Sequence, residues 1–459
     1  MKKIFSKELI YILFLMSLKL LNIKSSMASI ILIGIFITAD IYIKGVSGKL
    51  LLYSMFSPYY IFRQLFIIYL IIKLFLTKKN IFIDKNSNKI KFYFIYLILI
   101  NCISLVKDLS LTPFLLFGIT TLCGYMSYVI FINNNQIDIV VFERLCILQI
   151  IPVIYTFIIT KINGTFHPDC IIGTTSHANI LAILLLINLI IIIFDKKIKR
   201  TFKFKIIITH VFMLMICDAK LIIFCYICAL IVYYIITHRY RISYLKLIIT
   251  FFIATLIISI SLLNISKIKN LIDEYNIESY LYDQSRNKKV QAYITTFNNL
   301  DNLEKVIGIG CGRYGSKVAN ALASEVMYKG DYSIELPNFI KRRVNNKYFY
   351  IASMFTEEFH TRMQGHSGIL SYPMSNYITI FGEQGVLGLL FILIFFISNI
   401  YTSMKIKNNS IGMACSILII FTLIIMVFDN FLEMNEYVIL IGFILSIKER
   451  LLFKGENNG

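Results

Sequence analysis

Apolar runs long enough to cross a bilayer recur along the whole chain, and one long polar stretch interrupts them near the carboxyl end. A membrane helix needs about 20 mostly apolar residues. The pattern predicts apolar segments at 9–23, 27–43, 57–77, 91–106, 111–132, 138–160, 178–194, 205–218, 220–237, 244–264, 376–401, 411–428 and 435–452. The expected fold is therefore an all-α polytopic membrane protein with about twelve transmembrane helices and one large extracytoplasmic loop. Three regions follow: N-terminal transmembrane helices at 1–264, the loop domain at 265–375 and C-terminal transmembrane helices at 376–459. Lys2, Lys3 and Lys7 precede the first run as in a signal peptide, but no small-residue cleavage site follows, so an uncleaved segment is expected. A cytoplasmic amino terminus requires an even number of spans before Lys78, so 9–23, which contains Lys19, is read as interfacial or as a half-span.

Composition supports the membrane reading. Of 459 residues 58% are hydrophobic and 16% charged, and the mean hydropathy is +0.74; soluble proteins are nearer a quarter charged. A soluble globular protein, a disordered chain, a collagen-like repeat and a secreted disulfide scaffold are excluded. The net charge of +20 would suggest nucleic acid in a soluble protein. Here the basic residues gather in alternate connections: Lys78, Lys79, Lys85, Lys89 and Lys91; Lys196, Lys197, Lys199, Arg200, Lys203 and Lys205; His238, Arg239, Arg241 and Lys246; Lys405 and Lys407. The positive-inside rule makes these loops cytoplasmic, so the expected partner is the lipid bilayer, with no nucleic acid. The connections 107–110, 161–177, 218–220 and 265–375, and the acidic stretch Asp429, Glu433 and Glu436, then lie outside. The stretch 265–375 holds 14 Lys and Arg against 11 Asp and Glu, whereas the rest of the chain is +17, a balance that suits a folded outer domain. Seven of the nine cysteines sit in apolar segments as packing residues; Cys170 and Cys311 fall in polar loops, where a disulfide is conceivable.

Several polar groups stand where they are costly or exposed to the outer face. Lys220, in Cys217-Asp218-Ala219-Lys220, lies between two apolar runs. An ionisable residue at such depth points to function, and a snorkelling Lys paired with Asp218 explains it equally well. The string Gly173-Thr174-Thr175-Ser176-His177-Ala178-Asn179 places His177 and Asn179 at a helix start with Ser176 as the expected N-cap. Ser285-Arg286 opens an amphipathic stretch ahead of Gly308-Ile309-Gly310-Cys311-Gly312. A dinucleotide fingerprint does not fit those glycines, because no βαβ unit surrounds them; a tight turn does. The basic group Lys341, Arg342, Arg343 and Lys347 reads as a solvated face. His360, Arg362 and His366 lack the carboxylate and His spacing of a metal site. Lys220, His177, Arg286, Arg313, Arg362 and His366 share the predicted outer side, and cations that converge there suit a phosphate or diphosphate.

In order and topology these strings resemble the O-antigen polymerase and ligase superfamily, the Wzy-type polysaccharide polymerases. His177-Ala178-Asn179-Ile180-Leu181-Ala182 is similar to the family's Asn and small-residue helix start, and Cys217-Asp218-Ala219-Lys220 to its outer Ser-Arg or Ser-Lys string. Ser285-Arg286 with Gly308-Ile309-Gly310-Cys311-Gly312-Arg313-Tyr314 resembles its Ser-Gly-Arg string and glycine turn. Glu383-Gln384-Gly385-Val386-Leu387-Gly388 fits the second half of its His-Asn and Glu-x-Gly-x-x-Gly signature. The likeness spans roughly 90–450; where ligases of the family have His-Asn, this chain has Met374-Ser375, which favours polymerase over ligase.

The resemblance implies a C-type glycosyltransferase in the bacterial cytoplasmic (inner) membrane, inverting and metal-independent, with no cofactor. A hydroxyl of one undecaprenyl-diphosphate-linked repeat unit would attack the anomeric carbon of the growing chain, and undecaprenyl diphosphate would leave. Lys220 and Arg286 are the expected diphosphate cations and His366 the expected base, with His360 as its alternative. His177, Asn179, Arg313, Arg362 and Glu383 are expected to contact substrate. A chain-length regulator and a flippase are the expected protein partners, and the product is O-antigen or capsular polysaccharide. An O-antigen ligase shares all the motifs. A lipid-linked oligosaccharide flippase shares the helices and the buried cations, but it needs no 111-residue outer domain and should show two-half symmetry; a solute transporter ranks third.

Overall fold

The computed structural model describes residues 31, 58–77, 84–108, 111–118, 123–133, 139–164, 171–175, 177–195, 199–217, 219–237, 288–316, 318–319, 374–406 and 410–456. Among them there is no strand. The helices are α1 (Pro58–Thr77), α2 (Lys85–Asp108), α3 (Thr112–Phe117), α4 (Cys123–Asn133), α5 (Ile139–Leu148), α6 (Ile150–Ile162), α7 (Ala178–Phe194), α8 (Arg200–Cys217) and α9 (Lys220–Thr237). From the stretch 265–375 come α10 (Lys288–Asn299) and α11 (Asn302–Ile307); α12 (Asn376–Met404), α13 (Ser410–Ile425) and α14 (Asn435–Glu456) complete the set.

Among the described residues four stretches are long and apolar enough to cross a membrane: Lys85–Leu105, Ile139–Ile162, Lys220–Thr237 and Asn376–Met404. Ala178–Phe194 and Ser410–Ile425 are apolar but shorter. The apolar segments expected at 57–77, 178–194, 220–237 and 435–452 each coincide with one helix, whereas 111–132 divides into α3 and α4. The segments 9–23 and 244–264, and 27–43 apart from Ile31, lie outside the described residues.

α7 is the centre of the bundle. Every residue of it except Asn179 is buried, as required of a helix that is apolar on all sides, and α5, α8, α9, α13 and α14 pack around it. By contrast α2 shows Phe92, Ile95, Leu99 and Ile103 on its outer side, the face a bilayer would cover. The apolar run 138–160 is interrupted at Gln149. Pro152 brings no amide hydrogen to the first turn of α6, and Gln149 N bonds back only three residues, to Cys146 O (3.3 Å). The Gln149 side chain then serves the loop before α7: its Oε1 accepts from Thr174 N (3.0 Å) and its Nε2 donates to Thr174 Oγ1 (2.8 Å).

A polar brace joins α2, α4, α12 and α14 at the end of the bundle next to the basic loop. Asp84 accepts from Tyr128 Oη and from Ser87. Asn86 Nδ2 donates to Asn399 Oδ1 (2.8 Å) and Glu449 Oε1 (2.9 Å). The wholly buried Lys448 donates to Asn399 (2.6 Å) and Thr402 (2.9 Å) and pairs with Glu449 at 2.5 Å. A buried ammonium is tolerable only with this degree of compensation, and removing one partner of such a pair costs about 3–5 kcal/mol.

Candidate functional site

The opposite end of α12 is broken, and the break organises the site. Gly385 has φ +67 and ψ −170 inside the helix, which releases the carbonyls just before it from their helical partners. Each is taken up from elsewhere in the chain, as buried backbone oxygens require. Ile309 N donates to Gly382 O (3.0 Å) and Gly310 N to Glu383 O (2.9 Å). Tyr96 Oη donates to Gln384 O (2.5 Å), and Tyr93 Oη to Gln384 Oε1 (2.6 Å). The glycine turn and the Glu-Gln-Gly string, some 70 residues apart, are thus two halves of one interlock.

Glycine is obligatory on both sides of it. Gly308 and Gly310 have φ of +78 and +102. A Cβ on Gly308 would lie 2.3 Å from the Glu383–Gln384 backbone, and one on Gly385 would lie 2.2 Å from Val306 O. The tight turn expected at 308–312 is present, preceded by α11, whose N-cap Asp301 forms a capping box with Glu304.

Glu383 is wholly buried, and its carboxylate is enclosed by the turn. Oε2 accepts from Gly312 N (2.7 Å), and Oε1 accepts from Tyr314 N (3.0 Å) and Ser316 N (3.2 Å). Arg313 is also buried. Its Nη1 donates to Asn101 Oδ1 (3.0 Å), which accepts from Cys311 N as well (3.1 Å), while Ser104 Oγ donates to Ile309 O (2.8 Å). Asn101 and Ser104, three residues apart on one face of α2, cradle the turn from the other side. Arg313 and Glu383, both expected to contact substrate, are therefore brought together with their polar atoms directed into the turn. Cys311 is a buried free thiol, so it forms no disulfide. Burial, then the Glu383 and Glu433 carboxylates, push that thiol above its ordinary range, against the opposing pull of Asn101 and Arg313.

Beside the turn lies a cation that the sequence does not single out. Lys289, in the first turn of α10, is buried, and its ammonium donates to Met374 O (2.6 Å), Phe428 O (2.6 Å) and Val427 O (3.3 Å). Two of these carbonyls follow the C-terminus of α13, where a cation also complements the helix dipole. Burial lowers the Lys289 pKa from 10.5 to about 8, and Asp429 opposes the shift. One turn on, Tyr293 Oη meets Ser375 Oγ (2.7 Å), and Ser375 caps α12 at Tyr377 N (3.2 Å). Asn430 Nδ2 donates to Gly315 O (2.8 Å), and its Oδ1 accepts from Thr379 (3.1 Å). The connections 374–376, 426–433 and 308–316 therefore close on one another. Met374 lends this arrangement its carbonyl.

A second group lies at the start of α7 and α9. His177, not Ser176, is the N-cap of α7: its Nδ1 accepts from Asn179 N (3.2 Å), and the ring is exposed. An imidazole nitrogen fills the acceptor role expected of the serine hydroxyl. Cys217 Sγ bonds Ile171 O (3.3 Å) and Ala178 O (3.2 Å), which holds the approach to Lys220 against this cap. Lys220 begins α9 and is partly exposed. Arg286, His360, Arg362 and His366 lie outside the described residues, as do Ser176, Asp218 and Cys170. No family model and no curated protein matches the chain in sequence.

Proposed function

We propose that the chain is a polytopic membrane glycosyltransferase of about twelve spans that polymerises undecaprenyl-diphosphate-linked repeat units into O-antigen or capsular polysaccharide at the outer face of the bacterial cytoplasmic membrane. The observation that supports this reading is the interlock: two strings that resemble separate signatures of one family, 308–314 and 383–388, meet at one end of apolar helices. In this reading Lys220 and Arg286 neutralise the departing diphosphate, and charge developing on a leaving group is where preorganised cations contribute most. His366, with His360 as its alternative, takes the hydroxyl proton; His177, Asn179 and Arg362 meet sugar or lipid head. Glu383, Arg313 and Lys289 are positioning residues that fix the loop on the helices. The reaction needs no metal, and a chain-length regulator and a flippase are its partners.

The test is the glycan pattern of cells lacking the gene, restored with variants. Single-repeat glycan in the null strain supports polymerisation. Full-length unattached chains would assign the protein as a ligase, and lipid-linked repeats retained inside would assign it as a flippase. Lys220→Ala and Arg286→Ala, at wild-type protein levels, are expected to abolish long chains, while Lys220→Arg retains much of the ladder because the charge is kept.

A further inference from the structure

A cavity of about 440 Å³ lies between α2, α4, the second half of α12 and α14, on the far side of the α12 break from the glycine turn. Cavities of about 300–1,000 Å³ take small ligands. Its walls include Tyr93, Tyr96, Tyr128, Phe391, Phe395 and Ile441. Three of the tyrosine hydroxyls are engaged elsewhere, those of Tyr93 and Tyr96 by Gln384 and that of Tyr128 by Asp84, so these rings present apolar faces. One side opens between Phe92 (64% exposed) and Ile394 (61% exposed), on the surface that α2 and α12 would turn to lipid.

Among the described lining residues Lys89 is the one charge, and it sits at one end. From Lys89 to Leu99 the wall runs ten residues of helix, about 15 Å, or half of the roughly 30 Å hydrocarbon core. The cavity is one leaflet deep, with its cation at the edge. Lys89 also differs from its neighbour Lys448. Lys448 has three polar partners; among the described residues Lys89 has one hydrogen-bond acceptor, Ser398 Oγ (2.6 Å). An ammonium has three donors. The nearest carboxylates are shared with other groups: Asp84 accepts from Tyr128 and Ser87, and Glu449 Oε1 pairs with Lys448 and accepts from Asn86. Lys85, exposed one turn earlier on α2, adds a second cation.

We propose that this cavity binds one acyl chain of an anionic phospholipid, with the lipid phosphate held at Lys89 and Lys85. Charge and depth select this occupant. Basic pockets between transmembrane helices on the cytoplasmic side bind anionic headgroups, and the apolar wall matches the chain of a lipid from the leaflet next to the basic loop. A glycan would meet no hydrogen-bonding wall, and a prenyl chain whose diphosphate lies at the glycine turn would have the cation at its wrong end. The inference does not depend on the proposed reaction.

The chain has no Trp, so Phe92→Trp introduces a single indole at the cavity mouth. The variant is reconstituted in phosphatidylcholine nanodiscs containing increasing fractions of brominated-chain phosphatidylglycerol or brominated-chain phosphatidylcholine. Half-quenching is expected at about a fivefold lower fraction of the anionic lipid, the effect of one basic residue near an anionic headgroup. Lys89→Ala in that background is expected to weaken the preference and Lys89→Ala with Lys85→Ala to make the two lipids equivalent, while Ile231→Trp, on an exposed face at the middle of α9, should show no preference. If Lys89→Ala fails to insert, Lys89→Gln, which can still bond Ser398, gives the same comparison. Equal quenching at Phe92→Trp overturns the proposal, as does a preference that survives loss of both Lys89 and Lys85. So does displacement of the lipid by polyprenyl phosphate without any phosphatidylglycerol preference, which would assign the cavity to a prenyl chain.

Discussion

Glu383→Gln isolates the interlock, because it changes one oxygen to an amide and leaves the side-chain shape intact. In the native turn three backbone N–H groups converge on the carboxylate at 2.7, 3.0 and 3.2 Å. The glutamine oxygen can keep Tyr314 and Ser316, but the amide group then faces Gly312 N–H, and a buried donor without an acceptor costs about 1–3 kcal/mol. The two retained bonds lose their charge assistance, which is roughly half of their strength. Relief of the buried charge offsets part of this loss, and a net cost of about 2–4 kcal/mol for closing the turn results. Cys311 reports that closing. Its thiol is buried and free, so a thiol reagent reaches it only when the turn opens, and while reclosing outpaces labelling the rate follows the opening equilibrium. At one decade per 1.36 kcal/mol, Glu383→Gln is expected to accelerate labelling of the Cys311 peptide about 30- to 1000-fold. Mass spectrometry of that peptide measures the rate against a second buried cysteine, Cys217, whose labelling should not change. A Cys311 rate within threefold of wild type would refute the idea that the carboxylate holds the turn.

The remaining expectations follow from the same geometry. Gly385→Ala combines an extended positive-φ backbone (φ +67, ψ −170) that essentially only glycine adopts, costing about 1–3 kcal/mol, with a Cβ 2.2 Å from Val306 O, whereas Gly164 has the same φ sign and nothing within 4 Å of its added Cβ; the first should lose thermal stability and any long-chain glycan, and the second should lose at most the conformational cost. Lys289 has its folded pKa lowered to about 8 from 10.5, so between these values the unfolded chain holds a proton that the folded one has released, and stability rises with pH. The gain over that window is about 3 kcal/mol, and melting curves from pH 7 to 11 should show it for the wild type and not for Lys289→Met. Single cysteines introduced in 265–375 should label in intact cells and those in 196–205 only after lysis; labelling of 196–205 in intact cells would invert the topology.

Much of the helical framework is legible in the sequence because it depends on run length alone. The segments 178–194 and 220–237 need only a count of apolar residues to locate, and the structure places α7 and α9 there. Periodicity cannot show that α7 is buried on every side while α2 exposes Phe92 and Leu99, since both are apolar and the difference lies in which neighbours arrive. The N-cap of α7 shifts by one residue because His177 and Ser176 both offer an acceptor, and local sequence does not decide between adjacent caps. Lys289 escapes notice for a different reason. Within Arg286-Asn287-Lys288-Lys289 it is one cation among three on a polar helix start, and only the arrival of the α13 C-terminus and Met374 distinguishes it from its neighbour.

The interlock lies between these extremes. Each half is visible as glycine spacing, and each by itself has an ordinary explanation: a tight turn at 308–312 and a helix packing surface at 382–388. What the sequence does not convey is that the second half is a break. A helix interrupted at Gly385 exposes carbonyls that are costly in an apolar setting, and the turn at 308–312 supplies the amides that satisfy two of them. Neither half is stable in this form without the other, since the broken helix would leave acceptors orphaned and the turn would leave the amides around Glu383 without a carboxylate. The segment 288–316 is consequently anchored by main-chain bonds at 309 and 310, by the Glu383 carboxylate and by the Lys289 ammonium, three attachments of different chemistry. Such anchoring fixes the position of the turn relative to the break in α12. It also means that changes in Glu383, Gly385 and Lys289 should act together in double-mutant cycles, because they share one closure.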